Sequence, residues 1–202
     1  MKRFRRTTLL ALLAPLALSH LAACSDDGNF TQDATRENVT NRASVYALTG
    51  SGPELAAAYS IANAAFVRPT LGQSSGQVNF EIAFDIQPDG KVLLIPVRAV
   101  IPFPPQPLTG APSIGLLKSG AAFELVTKAA TSGYVSDTTA VASAGDTYLY
   151  RLNSSGCIYG EPYYGKLVLD SVIVSQRRIV VRALTNRNCG GYRSLIEGLP
   201  KN

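Results

Sequence analysis

Residues 78–86 alternate strictly between large apolar side chains and small or polar ones. A period of two residues places one set of side chains on each face of a β-strand, so this pattern predicts a half-buried strand. The tetrapeptide at 87–90, Gln-Pro-Asp-Gly, has the composition of a tight turn. We therefore predict that residues 91–101 return as the hairpin partner. Pro96 lies inside that return strand and lacks an N–H, which places it at an edge or a bulge.

Further strands are predicted along the rest of the chain, at residues 139–143, 147–153, 165–174 and 178–184. The last two are expected to pair across the turn at 175–177. Short strands separated by turn residues are typical of sandwiches and barrels. The predicted fold class is therefore all-β: a single β-sandwich or barrel-like antiparallel domain, with room for one or two short helices.

Three segments are ambiguous. Residues 53–66 carry apolar side chains at helical spacing, but we predict a strand or an irregular segment because the neighbouring segments are β-like. Residues 119–130 are compatible with one or two helical turns. The proline-rich stretch 102–107, with Pro112 soon after, is predicted to be a stiff connection between strands, and the alternative is a docking peptide for an aromatic groove.

The N-terminal segment has the make-up of an export signal. Lys2, Arg3, Arg5 and Arg6 precede an apolar run that is too short for a membrane span and is interrupted by Pro15. The segment ends in Leu21-Ala22-Ala23-Cys24. This tetrapeptide resembles the lipobox of bacterial lipoproteins. The alternative is a plain secreted protein in which the cysteine is incidental.

The lipobox resemblance implies cleavage after Ala23, lipid on the Cys24 thiol and acylation of the new amino group. It also implies that Ser25 directs the protein to the outer membrane if the cell has one. We therefore expect a signal peptide at 1–23, a lipidated flexible tether at 24–42 and a β-rich globular domain at 43–202. The tether prediction depends on its polar composition, which is too poor in apolar residues to order itself.

The positive charge of the full chain belongs largely to the signal segment. The 202 residues include 19 basic and 14 acidic ones, and four of the basic residues precede Cys24. The mature chain is therefore close to neutral, which argues against nucleic-acid binding. Its charges are uneven, because residues 148–202 hold eight basic and three acidic residues.

Cys157 and Cys189 are the only cysteines besides Cys24. An even pair in an exported chain predicts one disulfide. It would connect the loop before the last predicted hairpin to the loop after it. A reactive thiol pair is the alternative, but it lacks the C-x-x-C spacing.

The mature chain contains no histidine, since His20 lies in the signal segment. This excludes catalysis by Ser-His-Asp or Cys-His groups and zinc sites with histidine ligands. Glu81 and Asp85 share one face of the predicted strand, about 13 Å apart. Paired carboxylates of glycosidases lie roughly 5–9.5 Å apart, so we interpret these two as part of a solvated face. No metal and no cofactor are predicted.

Six of the nine tyrosines lie in the basic last quarter of the chain. Tyrosine and arginine are enriched at binding surfaces. The candidate binding surface consists of Arg151, Tyr159, Tyr163, Tyr164 and Arg193. The alternative is that these tyrosines are ordinary strand residues. An acidic envelope component or an acidic protein face is the expected partner, because opposite charges steer encounter.

Three short motifs are similar to β-rich haem-carrier lipoproteins of bacterial surfaces: residues 80–85 (Phe-Glu-Ile-Ala-Phe-Asp), residues 133–135 (Gly-Tyr-Val) and residues 163–168 (Tyr-Tyr-Gly-Lys-Leu-Val). The likeness covers about a third of the chain. It implies a lipid-tethered, mostly β domain that faces ligands or partners. Those carriers bind haem iron through histidine, which this mature chain lacks, so no haem ligand can be assigned here.

The leading functional hypothesis is an exported domain, anchored to the cell envelope by lipid, with a binding or structural role. Two alternatives stay open: a carrier of a hydrophobic ligand and a hydrolase that works without histidine. A carrier needs an internal pocket, and a hydrolase needs polar groups that converge in a cleft. Whether Glu161, Asp146 and Asp170 converge with the tyrosines separates these hypotheses.

Overall fold

A computed structural model describes residues 33–70, 78–100, 111–153 and 156–201 of the chain. All of them belong to one compact unit, residues 31–202. They form two antiparallel β-sheets with very little helix, which confirms the predicted all-β, sandwich-like class. The signal segment, Cys24 and the proline-rich stretch 102–107 lie outside the described residues. Within the described part of the chain, no helix has the length and hydropathy needed to cross a membrane.

The larger sheet has six strands. They are β1 (Thr40–Tyr46), β6 (Ile114–Lys118), β7 (Val135–Ser136), β9 (Thr147–Leu152), β10 (Tyr163–Ile173) and β11 (Arg178–Asn186), in the spatial order β1-β11-β10-β9-β6-β7. The smaller sheet has five strands. They are β2 (Ala58–Ser60), β3 (Ala65–Val67), β4 (Ile82–Ile86), β5 (Val92–Pro96) and β8 (Ala140–Ala142), in the order β3-β2-β4-β5-β8.

The main hydrophobic core lies between the two sheets. The smaller sheet contributes Ile82 and Phe84, which belong to the alternating pattern in β4, and Leu94 of β5. The larger sheet contributes side chains such as Tyr150 and Leu167, and all five of these residues are completely buried. Removing this apolar surface from water is the main driving force for folding. The two sheets therefore pack face to face, and side chains fill the space between them.

The outer face of the smaller sheet is also covered, which corrects the half-buried strand prediction. Ala83 packs there with Phe80, Val97 and Ala111 in a second apolar cluster. Val97 begins a short helix, α1 (Val97–Val100), where the sequence had predicted more strand. The regular strand is also shorter than the alternating pattern, since β4 starts at Ile82.

Glu81 is buried rather than solvated, so its interpretation as part of an exposed face is wrong. Its Oε2 accepts hydrogen bonds from the N–H groups of Ile61, at 2.5 Å, and Ala62, at 3.4 Å. Burial raises the pKa of the Glu81 carboxyl, and these two N–H donors oppose the rise. Asp85 pairs instead with Arg177, whose guanidinium nitrogen lies 2.9 Å from its Oδ1. Each carboxylate therefore has a structural partner.

The turns and hairpins predicted from sequence are present. The N–H of Gly90 donates to the carbonyl of Gln87 at 2.9 Å and closes the predicted turn between β4 and β5. Pro96 ends β5, beyond the residues that pair with β8, which agrees with its predicted place at an edge. Residues 53–66 contain strand, as expected, and residues 119–130 contain one 3₁₀ turn, Phe123–Leu125. Strands β6 and β7 were not predicted.

The ordered domain begins earlier than the predicted boundary at residue 43. The N–H of Ala34 donates to the Tyr192 hydroxyl at 3.0 Å, and those of Thr35 and Arg36 donate to Oδ1 of Asn188, each at 2.9 Å. The second half of the predicted tether is therefore part of the domain. Hydrogen bonds to the C-terminal segment hold it, from its backbone and from the buried side chain of Asn38, whose Nδ2 donates to the carbonyls of Ser194 and Ile196.

Candidate functional site

The predicted disulfide between Cys157 and Cys189 is confirmed. The two α-carbons are 5.6 Å apart, within the range that a disulfide spans without backbone movement. Cys157 lies in the loop between β9 and β10, and Cys189 follows β11. The bridge therefore connects the loop before the β10–β11 hairpin to the segment after it, as the sequence predicted.

The five residues of the candidate binding surface do not form one surface. Tyr164 is only 7% exposed and packs against Tyr134, with 6.3 Å between the ring centroids. Tyr163 is half-buried and packs against the main core from the opposite face of β10. The prediction that Tyr164 contacts a partner directly is therefore wrong. The alternation of a strand sends neighbouring side chains to opposite faces, so this pair cannot act together.

Arg151 and Arg193 lie near Tyr134 and Tyr164. Burial raises the pKa of Tyr134 to about 12, with a further contribution from Tyr164, while the charges of Arg193 and Arg151 oppose the rise. Arg193 also holds the overlying segment in place, because its Nε donates to the carbonyl of Ala129 at 2.9 Å. Three of the five predicted residues thus gather on the outer face of the larger sheet.

Tyr159 is separate from this group. Its side chain is 76% exposed, and that of its neighbour Ile158 is 87% exposed. Both follow Cys157 directly, so they lie in the disulfide-linked loop. Of the predicted tyrosines, Tyr159 alone is freely available for a direct contact.

A cleft of about 420 Å³, which we call the lysine cleft, lies on the outer face of the larger sheet. Its lining includes Phe123, Glu124, Lys166, Arg182 and Glu197. The position of Lys166 follows from strand register: it lies on β10 opposite Leu184 of β11 and Leu149 of β9, beneath the segment that contains the 3₁₀ turn.

Lys166 and Arg182 of the lysine cleft already have partners within the fold. Nζ of Lys166 donates to the carbonyls of Phe123 and Val126, each at 2.8 Å, and lies 4.4 Å from the centroid of the Phe123 ring. Burial lowers the pKa of this amine, and the carboxylates of Glu124 and Glu197 oppose that effect. Arg182 lies 2.6 Å from Glu124 and 2.9 Å from Asp170. This arrangement fastens the covering segment to the sheet.

A second depression, the basic groove, has a different charge balance. Its volume is about 480 Å³, and its lining consists of Thr127, Lys128, Gly191, Arg193, Ser194, Ile196 and Lys201. It adjoins the lysine cleft, because Thr127 and Ile196 line both. Three of the lining residues are cationic and none is acidic. No ion pair joins any of the three to a carboxylate within the described ranges.

Exposed apolar side chains occur in the chain segments that border these two depressions, and one of them, Ile196, lines both. Val39, Leu125, Ile196 and Leu199 are each more than half exposed. Val39 precedes Thr40 and Leu125 follows Glu124, and both Thr40 and Glu124 line the lysine cleft. Leu199 follows Gly198, whose backbone bonds to that of Asn38 at 2.9 Å in both directions. We call this set, together with the three cations of the basic groove, the basic-apolar face.

Sequence analysis found only part of this face. Arg193 and Lys201 lie in the basic last quarter that the charge count identified. The other members, Lys128, Val39 and Leu125, lie far from this quarter in the sequence. A single leucine or valine does not reveal from the sequence whether it is exposed. The antiparallel bridge between Lys128 and Ser194 brings two of these segments together.

Asp146 and Asp170 are held in separate ion pairs and do not meet the tyrosines in a cleft. Asp146 lies 2.8 Å from Lys118, and Asp170 bonds to Arg182 and Arg42. Neither residue lines the lysine cleft or the basic groove. Among the residues that the structure describes, no three side chains of the metal-binding types cluster together.

Comparison with protein-family models, with curated proteins and with solved structures finds no match to this chain. The lipobox and the likeness to haem-carrier lipoproteins therefore stay sequence-based predictions. The geometry of the described residues carries the functional argument.

Proposed function

We propose that this chain is a lipid-anchored domain of the cell envelope that binds an acidic protein partner through its basic-apolar face. The observation that carries the proposal is the basic groove, in which Lys128, Arg193 and Lys201 surround a depression without any acidic lining residue. Groups of exposed apolar residues with polar neighbours commonly mark protein-binding sites. Val39, Leu125, Ile196 and Leu199 supply that apolar component.

The charge balance of the two depressions distinguishes a binding role from a structural one. In the lysine cleft, Lys166 and Arg182 already have partners within the fold. In the basic groove, neither Lys128 nor Lys201 forms an ion pair with a carboxylate of the described residues. Cations that stabilise no internal contact are available to an external one, and complementary charge accelerates association and selects the partner.

The alternatives fit the geometry less well. A carrier of a hydrophobic ligand needs space inside the fold, but the region between the sheets is occupied by buried side chains such as Tyr59, Phe84 and Tyr150. A hydrolase without histidine needs acidic or hydroxyl groups that meet in one cleft. Asp146 and Asp170 are instead held in separate ion pairs.

The anchoring part of the proposal predicts that Cys24→Ser releases the protein from membranes or leaves its signal segment uncleaved. Acyl chains on this cysteine and on the new amino group would supply the stable attachment, since one chain alone holds only marginally. Cell fractionation with immunoblotting measures both location and size. Ser25→Ala serves as the control and should stay membrane-bound. A Cys24→Ser protein that fractionates with membranes at the mature size contradicts lipid anchoring.

The binding part predicts that Lys128→Gln combined with Lys201→Gln weakens capture of an acidic probe about fivefold, given roughly 0.5 kcal/mol for each exposed charge pair. The probe is a fluorescently labelled oligoglutamate, and its affinity for the lipidated protein in neutral micelles is measured by fluorescence anisotropy. Affinity should also fall as salt rises, because ions screen exposed charges.

The control for this experiment is Lys91→Gln combined with Lys118→Gln. It removes the same charge from two exposed lysines that pair with Asp89 and Asp146, outside the basic-apolar face. Capture by this variant should stay close to that of the wild type. Equal losses in the two double variants would show that net charge alone attracts the probe, and the proposed face would be wrong.

A further inference from the structure

The disulfide-linked loop presents two large side chains to solvent. Ile158 and Tyr159 are 87% and 76% exposed, the highest values among the exposed large hydrophobic residues of the described chain. The loop is held at its base, because Cys157 is bonded to Cys189. A rigidly mounted pair of exposed apolar and aromatic residues is costly in water unless another surface covers it.

The first described residues of the chain lie against the same part of the molecule. The N–H groups of Thr35 and Arg36 donate to Oδ1 of Asn188, each at 2.9 Å, and Asn188 directly precedes Cys189. The carbonyl of Arg36 in turn accepts a hydrogen bond from Nδ2 of Asn188 at 2.8 Å. The N-terminal entry of the domain and the disulfide are therefore neighbours.

The length of chain before this entry limits the distance from the lipid-bearing residue. Nine residue steps separate Cys24 from Asp33. Even a fully extended chain covers at most about 3.6 Å per residue, so these two α-carbons lie within about 32 Å of each other. The opposite end of the larger sheet lies farther from this entry, because the ten residue steps of β10 from Tyr163 to Ile173 cover about 33 Å at the rise of a strand.

We propose that Ile158 and Tyr159 contact the bilayer that holds the Cys24 lipid, so that the disulfide end of the domain rests on the membrane surface. This inference rests on the anchoring part of the proposed function. Tyrosine favours the membrane interface because its ring is apolar and its hydroxyl stays hydrated. Ile158 supplies an apolar side chain beside it. The contact fixes an orientation, which a lipid anchor alone does not provide.

The absence of tryptophan from the chain makes a direct test possible. Tyr159→Trp introduces a single tryptophan, whose emission can be excited selectively above the absorption of the tyrosines. The lipidated variant is reconstituted into phosphatidylcholine vesicles with and without brominated acyl chains, which quench tryptophan only on close approach. These lipids carry no net charge, so attraction to the basic groove cannot produce the signal. We expect a loss of fluorescence in the brominated vesicles and a blue shift of the emission maximum.

The matched control is Val174→Trp. Val174 is 46% exposed and follows the far end of β10. Its fluorophore should show neither quenching nor a shift in the same vesicles. Labelling of free thiols in both variants verifies that the disulfide is intact and hence that the loop is folded.

Mass spectrometry of the same samples separates the two proposals. An acylated Tyr159→Trp protein without quenching, or with quenching equal to that of Val174→Trp, overturns the bilayer contact alone. A protein without acyl chains overturns the anchoring, and the proposed orientation fails with it. Quenching confined to the acylated Tyr159→Trp variant supports the contact.

Discussion

Substitution of Gly165 by alanine is expected to lower the free energy of unfolding by about 3 kcal/mol, the upper part of the usual range for overpacking a core. A methyl group on Gly165 would overlap the ring and hydroxyl of Tyr150, which crosses this position of β10. Tyr150 cannot move aside without breaking the hydrogen bonds of its hydroxyl group. Its hydroxyl donates to the Leu184 carbonyl at 3.0 Å and bonds to the Thr185 hydroxyl at 2.6 Å.

Chemical denaturation followed by far-UV circular dichroism measures this effect, and Gly120→Ala is the matched control. A side-chain carbon at Gly120 would meet no atom within 4 Å, so its stability should change little. If the two substitutions have equal effects, the tight packing of Tyr150 over Gly165 does not limit stability.

Replacement of both Cys157 and Cys189 by serine is expected to cost a similar amount, about 3–4 kcal/mol. The bridge spans a sequence separation of 32 residues, and the estimate comes from the chain entropy that such a cross-link removes from the unfolded state. The loop with Ile158 and Tyr159 would also lose its fixed base. Thermal unfolding of the variant measures the loss as a lower melting temperature.

Reduction of the wild-type protein provides an independent check of this prediction. With dithiothreitol, its melting temperature should fall to that of the double variant, while the double variant should not respond. A reduced wild-type protein that melts at the oxidised temperature would show that the bridge does not contribute to stability.

Local signals in the sequence predicted the parts of the fold that depend on neighbouring residues. The turn at 87–90 and the hairpin at 175–177 were predicted because turn chemistry acts over a few residues. Strand β9 was recognised from its apolar and aromatic content. Strand β7 was missed because two residues are too few to form a pattern. The turn, the hairpin and strand β9 are specified by short-range preferences alone.

Burial could not be predicted in the same way. Glu81 occupies a polar position of an alternating strand, and such a position usually faces water. It is buried because α1 and residues near 111 cover that sheet face, and because the N–H groups of Ile61 and Ala62 reach its carboxylate. Tyr164 is similarly covered by the segment that contains Tyr134. Nothing in a strand pattern shows which outer face another segment will cover.

Three features could be read from the chain alone: the all-β class, the pairing of Cys157 with Cys189, and the excess of positive charge near the C-terminus. Each of these depends on residue types and on spacing along the chain. The fold, in contrast, brings Lys128 next to Arg193 and Lys201 in one groove that Ile196 also lines. This arrangement could not be read from the chain, because a binding face is defined by neighbours in space and antiparallel pairing joins residues that are far apart in sequence.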